Sequence, residues 1–172
     1  MEAILQLPTA TNDHQAYMAY ALNLARCSPP KPTNYRVGAV LVNASTNTIV
    51  STGYTLECEG NTHAEQSCFI KLLDEHGIPE DQLSSILPDN TVLYTTVEPC
   101  FKRLSGNLPC VQRILALGRD GKGIKTVYVG IREPEKTQLE EAGIKVVHVE
   151  GLEQQILEVA TAGHVSSEKQ DA

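Results

Sequence analysis

The sequence predicts an α/β fold, a three-layer α/β/α sandwich whose central mixed sheet has about five strands flanked by helices. Three observations lead there. Short apolar runs such as "VGAVLV" and "TVYVGI" alternate with segments whose apolar residues recur at helical spacing. The first two runs are separated only by the turn "NASTN", which pairs them as a hairpin. The later runs are joined through helices, which makes them parallel to one another.

In chain order, "DHQAYMAYALNLARC" is a helix with Tyr17, Ala21, Leu22 and Ala25 on its apolar side, capped by Thr11, Asn12 or Asp13. Three prolines in "SPPKPTNY" end it. "RVGAVLVN" is a buried strand and "NTIVSTGYTL" its hairpin partner. "HAEQSCFIKLLDEHG" is a second helix, stopped at Gly77. The strand "DNTVLYTTV" runs directly into Glu98, Pro99 and Cys100. "PCVQRILALGRDG" is a helix with Pro109 in its first turn. The strand "IKTVYVGI", the short helix "EKTQLEEAG", the strand "IKVVHVE" and the helix "LEQQILEVATAG" follow. A single domain over 1–172 is expected, with its core at about 12–162 and a loose tail at 163–172.

Composition narrows the functional classes. Apolar residues make up 41% of the 172 and charged residues 20%, as in a globular protein. No apolar run is long enough to cross a bilayer, so no membrane partner is expected. "MEAILQLPTATNDHQ" lacks a basic start and a sustained apolar segment, so it does not read as a secretory signal. A reducing, cytoplasmic setting follows, in which the five cysteines serve as core residues, metal ligands or nucleophiles. Fourteen basic against twenty-one acidic residues give a net charge of −7, which exerts no general pull on nucleic acid. A small molecule is the expected partner.

Two stretches carry chemistry. "NTHAEQ" places Glu65 two residues after His63, and "EPCFKRLSGNLPC" carries two Pro-Cys pairs ending at Cys100 and Cys110. His63, Cys100 and Cys110 supply one imidazole and two thiolates, the three-ligand set of a catalytic zinc that keeps its fourth position for water. The two thiolates balance the ion's charge, and zinc lowers the pKa of a bound water to about 7. Glu65 is too close to His63 to ligate from the same helical face, but it can take and return the water's proton. Simpler readings exist: Thr62 and Glu65 fit a T-x-x-E capping box, and the cysteines fit core thiols or a redox pair. Cys58, five residues before His63, is an alternative thiol, but Cys110 has the better position at a helix start.

The usual zinc deaminase signature is H-x-E…P-C-x-x-C, whereas nine residues separate these cysteines. A loop pinned at both ends to a metal lies at the mouth of its site. Lys102, Arg103, Ser105, Gly106 and Asn107 there are donors suited to a phosphate or a polyol, with simple solvation of the two cations as the alternative.

These residues resemble the deaminase domains of riboflavin biosynthesis. "EPCFKRLSGNLPC" is similar to the K-R-x-S/T-G-N-x-P-C form of the fungal pyrimidine deaminases, "NYRVGAVLV" to the family's N-P-x-V-G-A-V-x-V strand, and "GYT…NTHAEQ" to its G-x…H-A-E region. The resemblance spans about residues 12–150. It implies a cytidine deaminase-like fold, a zinc ion, and hydrolysis of the ring amine of a phosphorylated ribitylaminopyrimidine with release of ammonia. Glu65 would protonate a ring nitrogen and then the leaving amine. Asn34 would hydrogen-bond the substrate, unless it is only a turn residue after Pro32. Tyr35-Arg36 replaces the family's Pro-x, which makes Arg36 a further phosphate contact. The resemblance also implies a homodimer. Deaminases of cytosine, cytidine or a tRNA base, and a protein with a structural zinc, are the competing readings.

Overall fold

The computed structural model describes Pro8 and residues 13–103, 105–118, 122–132 and 138–164. Five strands, β1 (Gly38–Asn43), β2 (Thr48–Tyr54), β3 (Thr91–Val97), β4 (Thr126–Ile131) and β5 (Lys145–His148), form one sheet in the order β2-β1-β3-β4-β5. β1 is antiparallel to both neighbours, while β3, β4 and β5 run parallel. The helices are α1 (His14–Cys27), α2 (Ala64–His76), α3 (Cys110–Leu117), α4 (Gln138–Glu141) and α5 (Glu153–Ala160).

Alternation along the strands sorts the core into two layers. Ala39, Leu41, Leu93, Val127 and Val129 pack with Phe69 of α2, Ile114 of α3 and Leu139 of α4. Val40, Val42, Val92 and Tyr94 pack on the other face, against Tyr17, Met18 and Leu22 of α1 and Ile156 of α5. Because both faces are covered, β1 is buried along nearly its whole length and reads as a continuous apolar run. The predicted sandwich and mixed sheet are therefore the observed fold. Among the described residues no helix is long and apolar enough to cross a membrane.

Local chemistry explains the boundaries. The Asp13 side chain accepts the Ala16 N–H at 3.0 Å and caps α1. Gly77, with φ of 62°, ends α2 in the left-handed conformation that glycine adopts without strain. Gly38 lets α1 lie directly on β1, since a β-carbon there would stand 1.8 Å from the Ala21 carbonyl oxygen.

Two expectations need correction, and one element was not foreseen. Pro109 is the N-cap of α3 rather than part of its first turn, leaving Cys110 to open the helix. The 3-10 helix at Glu80–Ser85 has no counterpart among the expected elements, because two short turns are too few to show a periodicity. The tail does not begin at 163, since Gly163 and His164 pack on the segment before β1; residues 165–172 of the expected tail lie outside the described residues. So do residues 135–137 of the short helix "EKTQLEEAG" and 119–121 at the end of "PCVQRILALGRDG".

The topology fixes where a site can form. Ala39 stands opposite Thr95, so the C-terminal end of β3 lies beside the start of β1 and the segment leading into it. The first turns of α2 and α3 converge on that end of the sheet, the usual location of sites in open α/β folds.

Candidate active site

The three proposed ligands come together from three elements. His63 is the N-cap of α2 in extended backbone conformation. Cys100 follows β3, whose ladder continues as Glu98 donates its N–H to Ile131 O at 3.0 Å. Cys110 opens α3, and the Val111 N–H returns to Cys100 O at 3.0 Å, stitching the two cysteines together. His63 Nδ1 lies 3.4 Å from Cys100 Sγ and 3.6 Å from Cys110 Sγ. All three donor atoms fall within 4.8 Å of one another, and Cys58 is not part of the cluster.

Those spacings test the fit to zinc. A tetrahedral ion with bonds of about 2.1 Å to nitrogen and about 2.3 Å to sulfur has N···S edges of about 3.6 Å. The observed distances match. The electrostatics match as well. A hydrogen bond from Cys110 is the largest influence on the Cys100 thiol and, with help from His63, brings it down to about 4 against the opposing effect of burial. Cys110 is pushed up, first by that same bond and then by burial. The pair therefore shares one proton, with the thiolate on Cys100, where the Cys110 N–H also points at 3.3 Å. An imidazole, a thiolate and a second sulfur at tetrahedral spacing form a zinc donor set, and the remaining proton is released when metal binds.

Glu65 stands beside this cluster in the first turn of α2 and is 3% exposed. Its Oε1 accepts a hydrogen bond from Thr95 Oγ1 at 3.0 Å. Burial raises its pKa, opposed by its own backbone hydrogen bond and by the neighbouring His63. The Thr95 hydroxyl has a single proton and a second acceptor, Val97 O, at 2.9 Å. It can donate to Glu65 as a carboxylate, or accept from Glu65 as an acid while donating to Val97. The T-x-x-E capping box is not formed. Thr62 Oγ1 donates to Cys58 O, and the His63 N–H is taken by Gln66 Oε1 at 3.4 Å.

A cleft of about 370 Å³ opens over these groups. Asn34, Lys102, Arg103 and Ser105 line it, together with Tyr35, Asn61 and Glu98. Asn34 Nδ2 donates to Asn61 Oδ1 at 3.2 Å. Lys102 is exposed at the mouth, whereas Arg103 is buried and works as a strut. Its guanidinium donates to Gln66 Oε1 at 2.9 Å and to Asn61 O at 2.5 Å, tying the loop between the cysteines to the start of α2. Gly106 and Asn107 do not line the cleft; Gly106, with φ of 80°, turns the loop, and the Asn107 N–H goes to Ser105 Oγ.

Arg36 is a correction. Its guanidinium donates to Ser28 O at 2.8 Å and Arg26 O at 2.7 Å, at the last turn of α1, and does not line the cleft. Carbonyls left over at a helix end attract a cation, and this one is used there. Sequence reasoning passed over Thr95, Gln66 and Asn61. Thr95 had a signal, because it shares the inward face of β3 with Leu93, where a polar side chain needs a partner.

Residues 11–131 match the model of the cytidine and deoxycytidylate deaminase zinc-binding region, and the chain belongs to that family. Its cofactor is zinc. Among solved structures, the Rib2 deaminase of Aspergillus oryzae (a C-terminal deletion mutant) is 47% identical with a TM-score of 0.83, covering 91% of this chain and 95% of that one. The same enzyme has been solved in complex with DARIPP. A curated relative, the diaminohydroxyphosphoribosylamino-pyrimidine deaminase of Schizosaccharomyces pombe, is 35% identical over 159 residues, 88% of this chain. The chain spans 36% of that relative's length. A diaminohydroxyphosphoribosylaminopyrimidine deaminase/5-amino-6-(5-phosphoribosylamino)uracil reductase of Thermotoga maritima is 26% identical with a TM-score of 0.63, covering 87% of this chain and 40% of that one.

Proposed function

We propose that the chain is an aminohydrolase that deaminates 2,5-diamino-6-ribitylamino-4(3H)-pyrimidinone 5′-phosphate in riboflavin biosynthesis, releasing ammonia. The observation that carries this reading is a zinc-spaced His63–Cys100–Cys110 triad beside a buried carboxylate, at the base of a cleft with a cation at its mouth. The likeness to the Aspergillus and Schizosaccharomyces deaminases supports the substrate class.

His63, Cys100 and Cys110 would hold the zinc, which when bound lowers the pKa of a water and so supplies the nucleophile. Glu65 is the proton carrier. Its burial favours the neutral acid, so it keeps a proton taken from water until a ring nitrogen receives it; the second proton, from the oxygen once that is bonded to the ring carbon, then passes by the same carboxylate to the departing amine. Thr95 follows both states by turning its single proton. Asn34 would hydrogen-bond the pyrimidine and Lys102 would meet the phosphate, with Ser105 as a neutral donor; that all three line the cleft supports these roles. Arg103 serves by holding this loop. The resemblance further supports a homodimer, which light scattering on the purified protein tests.

The deciding experiment measures ammonia release from the ribitylaminopyrimidine phosphate, with cytosine and cytidine alongside and zinc quantified in the same sample. Turnover of the phosphorylated compound alone is expected. Full zinc with no turnover of it would remove the substrate assignment.

A further inference from the structure

The segment 31–36 forms one wall of the cleft through Asn34 and Tyr35. It belongs to neither a helix nor a named strand, and Lys31 and Asn34 pair only in an isolated bridge. Part of what holds it comes from far along the chain. The Arg36 N–H donates to Ala160 O, at the end of α5, at 3.1 Å. His164 Nε2 lies 3.1 Å from Asn34 O, and since a carbonyl only accepts, the ring carries its proton on Nε2. The same imidazole meets the Tyr35 ring edge-on, with 4.7 Å between centroids. Gly163 is seated so closely that a β-carbon would lie 2.3 Å from Lys31 N.

These contacts are unusual in what they connect. α5 packs on the sheet face opposite α2 and α3, which carry the zinc cluster. Residues 160–164 therefore reach round to brace the cleft wall from the other layer. Tyr35 makes the need for a brace plain, because it is 60% exposed. An aromatic ring in that position wanders among rotamers unless something fixes it, and an unfixed ring or loop pays its ordering entropy when a ligand binds. His164 grips the backbone of one cleft residue and the ring of the next.

We propose that His164 is a positioning residue for the substrate cleft, holding Asn34 and Tyr35 in place for the incoming pyrimidine. The proposal rests on the reading of this cleft as the substrate site. It makes affinity for the ring depend on a residue that touches neither zinc nor substrate.

The test uses the full chain with His164→Ala and His164→Gln, the second keeping an N–H near the position of Nε2. Amide hydrogen exchange across 33–36 is measured without substrate, and kcat and KM are measured for the ribitylaminopyrimidine phosphate. His164→Ala should speed exchange across 33–36 and raise KM about five-fold, the equivalent of one neutral hydrogen bond. kcat should stay within about two-fold and zinc content should not change. His164→Gln should recover most of the KM. Exchange like that of the unmutated protein, an unchanged KM, or a loss confined to kcat would each overturn the proposal. If the unmutated protein leaves that compound untouched, the functional reading falls, and exchange in the two variants alone decides whether the brace exists.

Discussion

Gly53→Ala would test whether the spacing between helix and sheet sets the geometry of the zinc cluster. Gly53 lies in β2 beneath the first turns of α2, and a β-carbon there would stand 2.2 Å from the Ala64 carbonyl oxygen and 2.9 Å from the Cys68 amide nitrogen. Both are backbone atoms, so no change of rotamer relieves the contact. To reach the 3.4 Å at which ordinary contact begins, α2 must retreat by about 1.2 Å. His63 caps that helix and Glu65 lies in its first turn, whereas Cys110 opens α3 and Cys100 stands in the segment after β3, so neither is carried along by α2. The N···S separations of 3.4 and 3.6 Å then lengthen by up to the same amount, beyond what a tetrahedral zinc spans.

Overpacking of this kind costs about 1–3 kcal/mol of stability. A misplacement of about 1 Å at a reacting centre costs about 10²-fold in rate. The assay is kcat/KM for ammonia release, with zinc content and thermal melting measured on the same samples. Gly130→Ala is the control: its β-carbon would meet Ile156 Cδ1 at 2.3 Å, a side-chain tip on the α1/α5 face that can turn aside, and the backbone Thr96 O at 2.8 Å, a contact relieved by about half the shift that Gly53→Ala needs. It should lose stability without losing zinc. Gly53→Ala protein with full zinc and a kcat within about three-fold of normal would refute the reasoning, as would an equal loss of activity in Gly130→Ala.

Glu65→Gln should lower kcat by about 10²–10⁴-fold while zinc content is retained, and surviving activity would remove the proton-carrier role. The same variant tests a pH linkage in chelator-treated protein. Burial raises the Glu65 pKa above its ordinary 4.5, so the folded chain binds that proton more tightly than the unfolded one. That stability is fully present below 4.5 and is lost as pH rises through the raised value. Glu65→Gln should therefore melt above the unmutated protein at about pH 7 and lose its advantage below about pH 4; a gap independent of pH would contradict this. Arg103→Met should cost about 1–3 kcal/mol and weaken zinc retention, because it removes the guanidinium's bonds to Asn61 O and Gln66 Oε1 that tie the loop to the start of α2. Denaturant melts with and without added zinc measure both effects.

The layered sheet and the clustering of His63, Cys100 and Cys110 were legible because they depend on local pattern and on residue types with narrow uses. A continuous apolar run such as "GAVLV" has few options other than a covered strand. Histidine before Ala-Glu and cysteine after proline, each at a helix start, restrict the chemistry in the same way. What a side chain does after folding was less legible. Arg36 and Arg103 looked alike in sequence as cations near the site, but one caps α1 and the other ties two loops together. Those roles depend on which carbonyls the fold brings within reach, and residues 42 and 37 positions away supply them for Arg103. His164 lies still further from its partner, at a separation of 130 residues. Nothing local marks it.

The nine-residue gap between the cysteines can now be explained physically. In the short form of the motif, one helical turn sets the spacing of the two sulfurs. Here Cys110 opens α3 while Cys100 lies in the segment after β3, so their spacing has to be set by other bonds. The structure uses two backbone contacts, Val111 N–H to Cys100 O and Cys110 N–H to Cys100 Sγ, and the buried Arg103 clamp to the segment that carries His63. His63, Cys100 and Cys110 are thereby referred to a single frame built from loop, α3 and the start of α2. Once Arg103 is committed to that frame, the adjacent Lys102 stays exposed on the cleft side of the loop, where a phosphate can reach it. The long gap thus replaces the rigidity of one helical turn with a buried guanidinium, and in exchange it places a cation at the rim that a two-residue gap has no room to carry.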